Sequence, residues 1–82
     1  MTEEITGVHF KGGSIERVRL KNGQLLMRPL MLKQMERGTV FMTLPALGHE
    51  PQKVQLVKKG SKDILTTNPR EESDYLEGVP TL

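Results

Sequence analysis

His9 and His49 are the only histidines in the 82-residue chain, and there is no cysteine. A zinc site takes about four nitrogen, sulfur or oxygen ligands, usually with some of them close in sequence. Two well-separated histidines, one on an expected strand and one in an expected loop, offer no such cluster and read as surface residues. The absence of cysteine removes a disulfide framework, a thiolate metal site and a cysteine nucleophile. Ser14, Ser61 and Ser73 fall in turns or in the C-terminal tail, outside any nucleophile-elbow context. Glu71, Glu72 and Asp74 lack the alternating oxygen ligands and central glycine of a calcium loop, and read as a solvated acidic turn. Gly7 to Ser14 has the glycine spacing of a phosphate-binding loop, but Gly13 stands where the lysine is required. A strand follows where a helix N-terminus should face the phosphates, so the run reads as a hairpin. No nucleophile, general base or metal cluster can be assembled. The expectation is a non-enzymatic protein with no cofactor and no metal.

The chemistry the sequence does offer is cationic, and strand register decides where it lies. Ile5 to Phe10, Ile15 to Leu20 and Leu25 to Met27 read as strands. Asn22-Gly23 suits a two-residue type I′ turn, with φ > 0 at both central positions. That turn sets Leu20 opposite Leu25 and Val18 opposite Met27. A loop of Gly12-Gly13-Ser14 then agrees in face, setting Val8 opposite Val18 and Thr6 opposite Leu20. The expected inner face is Val8, Phe10, Val18, Leu20, Leu25 and Met27; Gly7, His9, Arg17, Arg19, Leu26 and Arg28 face outward. Arg17 then lies opposite Arg28, and His9, Arg17, Arg19 and Arg28 form the candidate anion- or partner-binding face. Like charges directly opposite each other destabilise a sheet. Water can screen such a face, the acidic tail or a partner's carboxylates can cover it, or it can bind an anion. Aromatic residues for stacking single-stranded bases are missing from it.

The remaining elements complete one small domain. Pro29 fits the start of a short helix running on to Arg37, with Met31, Leu32 and Met35 on one stripe and Gly38 ending it. Val40 to Leu44, apolar but for Thr43, is read as a buried strand, and Pro45 to Pro51 as a loop. Lys53 to Lys58 and Asp63 to Thr67 form a hairpin over a type II′ turn at Gly60-Ser61, which pairs Leu56 with Leu65 and Lys58 with Asp63. Met27, Met31, Met35 and Met42 read as gap-filling in a core short of aromatics. The expected fold is α+β and mainly β: a three-strand meander, one short helix, then a strand and a hairpin, as a curved sheet or partial barrel. Residues 1–82 make a single domain, with a folded core over 5–67 and an acidic tail over 68–82 anchored by Tyr75, Leu76 and Val79.

Composition bounds the rest. Hydrophobic residues are 35% and charged residues 27%, a globular balance with a modest core. A core this small gains from association, so a homodimer is expected. Residues 1–61 carry ten lysines and arginines against five carboxylates, and residues 62–82 two against five. The net charge of +2 is thus a basic body with an acidic tail. No apolar stretch approaches the roughly 20 residues that span a bilayer, and Met1-Thr2-Glu3-Glu4 opens nothing like a signal peptide. A cytoplasmic location without membrane attachment is expected.

The order of these segments resembles a family of small bacterial, archaeal and phage proteins catalogued only as a domain of unknown function. The resemblance rests on Ile5-Thr6-Gly7-Val8, Ile15 to Leu20, Asn22-Gly23 and Met35-Glu36-Arg37-Gly38. It continues through Val54 to Val57, Ile64-Leu65-Thr66-Thr67, Asn68-Pro69, Asp74-Tyr75-Leu76 and Val79-Pro80. The family pattern often has Asn where Tyr75 stands, and the helix segment here is richer in methionine. The resemblance implies a compact, mainly β domain with one short helix, and carries no activity or functional residue across. The expected function is a small binding or interaction module acting through its sheet surface. A protein partner or an anionic ligand would dock there. The alternatives are a small-molecule or nucleotide-sequestering protein, or a nucleic-acid binder, on the basic face at Arg17, Arg19 and Arg28.

Overall fold

The computed structural model describes residues 1–45 and 48–82. Strands β1 (Thr2–Lys11), β2 (Ser14–Leu20) and β3 (Leu25–Met27) form the meander, followed by helix α1 (Arg28–Glu36). Strand β4 (Val40–Thr43) precedes a hairpin of β5 (Gln55–Lys59) and β6 (Lys62–Thr66). The first four strands make one open sheet in the order β3-β2-β1-β4, and β5-β6 makes a second. The α+β, mainly β architecture is as expected. Local patterning does not reveal that β4 returns parallel to β1, setting Thr2 to Ile5 against Val40 to Thr43. Along β4 burial alternates, with Phe41 and Thr43 inside, where the apolar run suggested burial throughout. The expected loop from Pro45 to Pro51 includes Ala46 and Leu47, which lie outside the described residues.

Both turns of the meander differ from expectation by one residue, with different consequences. Gly12 and Gly13 both have positive φ (60° and 82°) and alone form the first turn, pairing Lys11 with Ser14 and Phe10 with Ile15. Glu16 is then an extra residue on β2, which restores the expected Val8–Val18 pair. Thr6 is an extra residue on β1, so Ile5, not Thr6, faces Leu20. A bulge sets two residues of one strand against one of its partner and re-aims a side chain. Here it brings Thr6 and Glu16 to the face that carries Gly7 and Arg17.

The second turn is not type I′, because only Gly23 has positive φ (89°). The Gly23 N–H donates to the Leu20 carbonyl (2.8 Å) and the Leu20 N–H to the Gln24 carbonyl (2.8 Å), closing a loop of Lys21-Asn22-Gly23. Asn22 Oδ1 accepts the Gln24 N–H at 2.9 Å, so its side chain supports the loop without a left-handed backbone. This one-residue change turns β3 over. Leu26 pairs with Val18 and is buried, while Leu25 (55% exposed) and Met27 (49%) face outward. Gly23→Val forces a β-branched residue into the left-handed region, and stability is expected to fall by about 1–3 kcal/mol. Asn22→Val, at negative φ, is expected to cost less; urea denaturation midpoints of the two variants check the order.

The core joins Ile5, Val8, Ile15, Val18, Leu20 and Leu26 of the meander to Met31, Phe41, Val54 and Leu65. Helix α1 contributes Met31 fully and Leu32 and Met35 in part, and Gly38 (φ 94°) ends it as expected. The register of β5-β6, with Leu56 facing Leu65 and Lys58 facing Asp63, also agrees. The C-terminal segment is built into this body. Leu76 and Val79 are buried, the Tyr75 N–H donates to the Leu65 carbonyl (3.0 Å), and the Thr67 N–H donates to the Tyr75 carbonyl (2.9 Å). Beyond the end of β4, Val8 donates to Pro80 (3.1 Å) and accepts from the Leu82 N–H (2.8 Å), so the chain end extends the sheet beside β1.

Candidate partner-binding face

The outward face of the four-stranded sheet is organised in two cross-strand rows. His9, Arg17 and Met27 face one another across β1, β2 and β3; Gly7, Arg19 and Leu25 form the next row. Leu82 fills the place of the side chain Gly7 lacks: a Cβ on Gly7 would lie 2.5 Å from Leu82 Cδ2. Three large aliphatic side chains, Leu25, Met27 and Leu82 (45% exposed), thus share a face with two arginines.

The bulges set the electrostatics. Glu16 lies 2.8 Å from Arg17 Nη1, 3.6 Å from His9 Nε2 and 3.8 Å from Lys11 Nζ, so one carboxylate serves three basic groups. Arg19 donates from Nε to Thr6 Oγ1 at 3.2 Å, and no carboxylate among the described residues lies within 4.0 Å of its guanidinium. Lys11, Arg17 and Arg19 against Glu16 leave this part of the face net positive, and Glu4, farther along β1, is matched by Lys21 at 3.9 Å.

Arg28 is not part of this face, which corrects the expected grouping. The turned-over β3 puts Met27 opposite Arg17, and the chain enters α1 at Arg28. Its guanidinium pairs with Asp74 and donates to the carbonyls of Asp63 (2.7 Å) and Ile15 (3.3 Å). Asp74, expected in a solvated acidic turn, has a side chain only 3% exposed. Its Oδ2 also accepts the Ile15 N–H (2.7 Å), and its Oδ1 the Leu65 N–H (2.9 Å). Nor does the acidic tail pair with the outward arginines: among the described residues no tail carboxylate reaches Arg17 or Arg19, and Glu77 Oε2 accepts from Gln52 Nε2 (2.6 Å).

The structure therefore brings together His9, Arg17 and Arg19 of the expected set and removes Arg28. Sequence reasoning missed Leu25 and Met27, which it placed inside, and Leu82, which reaches the face only through the tail's path. The Gly12-Gly13 turn lines a cleft of about 340 Å³ with Ser14, Lys62 and Ser73, in which Asp63, Glu72 and Asp74 outnumber the one lysine. Among the described residues no group of three or more His, Asp or Glu side chains is placed to hold a metal ion. No helix among them is long and apolar enough to cross a membrane. Comparison with protein-family models, curated proteins and solved structures finds no match to this chain.

Proposed function

We propose that the protein is a non-enzymatic interaction module, working in the cytoplasm, that docks an acidic and apolar protein surface on the outward face of its four-stranded sheet. The observation that carries this reading is the exposure of Leu25, Met27 and Leu82 on the same face as Arg17 and Arg19. Methionine and arginine are enriched at protein interfaces, whose buried centre is apolar. An arginine can cover apolar surface with its stem and offer a carboxylate-matching fork at its tip. Two copies meeting through this face would set arginines against arginines, so the partner is a different protein, and a homodimer would use another surface. The nucleotide-sequestering alternative is weakened, because the cation that was to complete the anion cradle, Arg28, is already paired with Asp74. The resemblance to the uncharacterised small-protein family is part of the proposal and adds no activity to it.

Selection from a random peptide library tests the reading. Enriched peptides are expected to combine aspartate or glutamate with aliphatic residues. Their addition should shift the amide resonances of Gly7, Arg19, Leu25 and Met27. Arg17→Glu/Arg19→Glu should weaken binding at least about tenfold, since charge pairs in a desolvated interface are worth over 1 kcal/mol. Peptides without acidic residues, or shifts confined to other surfaces, would overturn it.

A further inference from the structure

We infer that the tip of the β5-β6 hairpin is a contact element for the phosphate backbone of duplex nucleic acid. Lys59 and Lys62 are direct cross-strand partners flanking the Gly60-Ser61 turn, and Lys58 follows on the next rung opposite Asp63. Like charges directly opposite each other in a ladder are destabilising, so folding gives no reason for the Lys59–Lys62 rung. Neutralisation by the body gives none either. Asp63 and Glu72 line the cleft beside Lys62. Yet among the described residues no carboxylate lies within 4.0 Å of the Lys58, Lys59 or Lys62 amines.

The composition of the tip separates it from the outward sheet face. That face mixes arginines with aliphatic side chains, whereas the tip offers lysines around Gly60 and Ser61, with Lys58, Gly60, Ser61 and Lys62 exposed and Lys59 half-buried. Lysine is depleted from protein interfaces, but it is a compact point charge suited to phosphate, and serine hydroxyls and backbone N–H groups are common phosphate donors. Inward from the tip β6 is buried at Ile64, Leu65 and Thr66, which makes the hairpin a ribbon rooted in the body with its end in solvent. A two-stranded ribbon fits the major groove of a duplex. The tip has no aromatic side chain on which unpaired bases could stack, which favours a duplex over a single strand.

Fluorescence anisotropy of a labelled DNA duplex, titrated with the intact protein across a salt series, tests the inference. Binding is expected at low salt, with log K falling linearly against log salt. Lys59→Gln/Lys62→Gln should reduce that slope by about 1.8, at roughly 0.9 for each phosphate no longer neutralised. Removing a like-charge rung should leave the melting curve unshifted or raised, so loss of binding is not loss of fold. Arg17→Gln/Arg19→Gln should leave the slope unchanged. No binding at about 50 mM salt, an unaltered slope in the lysine variant, transfer of the effect to the arginine variant, or binding to heparin without binding to the duplex would each overturn it.

Discussion

Asp74→Ala is expected to leave the protein unfolded or close to it at room temperature. The Asp74 carboxylate is where three parts of the chain meet: the start of β2 through the Ile15 N–H, β6 through the Leu65 N–H, and the entrance of α1 through Arg28. Truncation leaves two buried backbone donors unpaired and strands a partly buried guanidinium. Removing one member of a buried, hydrogen-bonded pair costs about 3–5 kcal/mol. Small domains hold only about 5–15 kcal/mol in total, and one of 82 residues sits toward the lower end. Asp74→Asn keeps the shape but turns an acceptor into a donor facing donors, and is expected to lie between wild type and alanine. Glu72→Gln, two residues away and exposed, should move stability by less than about 0.5 kcal/mol. Urea denaturation followed by circular dichroism ranks the three; equal midpoints for Asp74→Ala and Glu72→Gln would show that the carboxylate is not a structural joint.

That contrast between neighbouring carboxylates shows where sequence stops being informative. Glu71, Glu72 and Asp74 look alike in a local window, and only contacts to Ile15 and Arg28, far away along the chain, and to Leu65 on β6 single out one of them. Features fixed by local backbone chemistry were legible. Gly60-Ser61 set the whole register of β5-β6 and Gly38 ended the helix, whereas Val8 faced Val18 only because the Glu16 bulge offset a first turn one residue shorter than expected. Bulges have no such signature, because the extra residue is accommodated by the twist of the sheet and not by its own type. Glu16 and Thr6 were therefore missed, and with them the carboxylate that holds His9, Lys11 and Arg17 together.

The candidate face was legible in its charges and illegible in its apolar half. His9, Arg17 and Arg19 depend only on alternation along β1 and β2, which the bulges leave intact between His9 and Gly7. Leu25, Leu26 and Met27 are all apolar, so hydrophobicity cannot choose which of them points inward. Turn length decides it, and Asn22-Gly23 is compatible with both a two-residue type I′ turn and the three-residue loop observed. The wrong choice exchanged Leu26 with its neighbours and moved Arg28 onto a face it does not share.

The second large effect concerns residues 70–82. From charge alone, deleting the acidic tail would uncover the arginines and strengthen binding to polyanions. The structure leads to the opposite expectation, a protein that does not fold. The deletion removes Asp74 with its bonds to β2, β6 and Arg28, and takes Leu76 and Val79 out of the core. A buried leucine cut to alanine already costs about 2–5 kcal/mol. Added to the loss at Asp74, that exceeds what a domain of this size holds in reserve. Deleting only Pro80 to Leu82 is the informative partner experiment. It spares Asp74, Leu76 and Val79 and removes the two backbone bonds at Val8 and the leucine that covers Gly7. Net hydrogen-bond contributions of about 0.5–1.5 kcal/mol each put its cost at roughly 1–3 kcal/mol, so the shorter deletion should fold. Amide resonance dispersion in the two truncated chains reads the difference directly. A well-dispersed spectrum from the 70–82 deletion would return the tail to the role of a detachable cover.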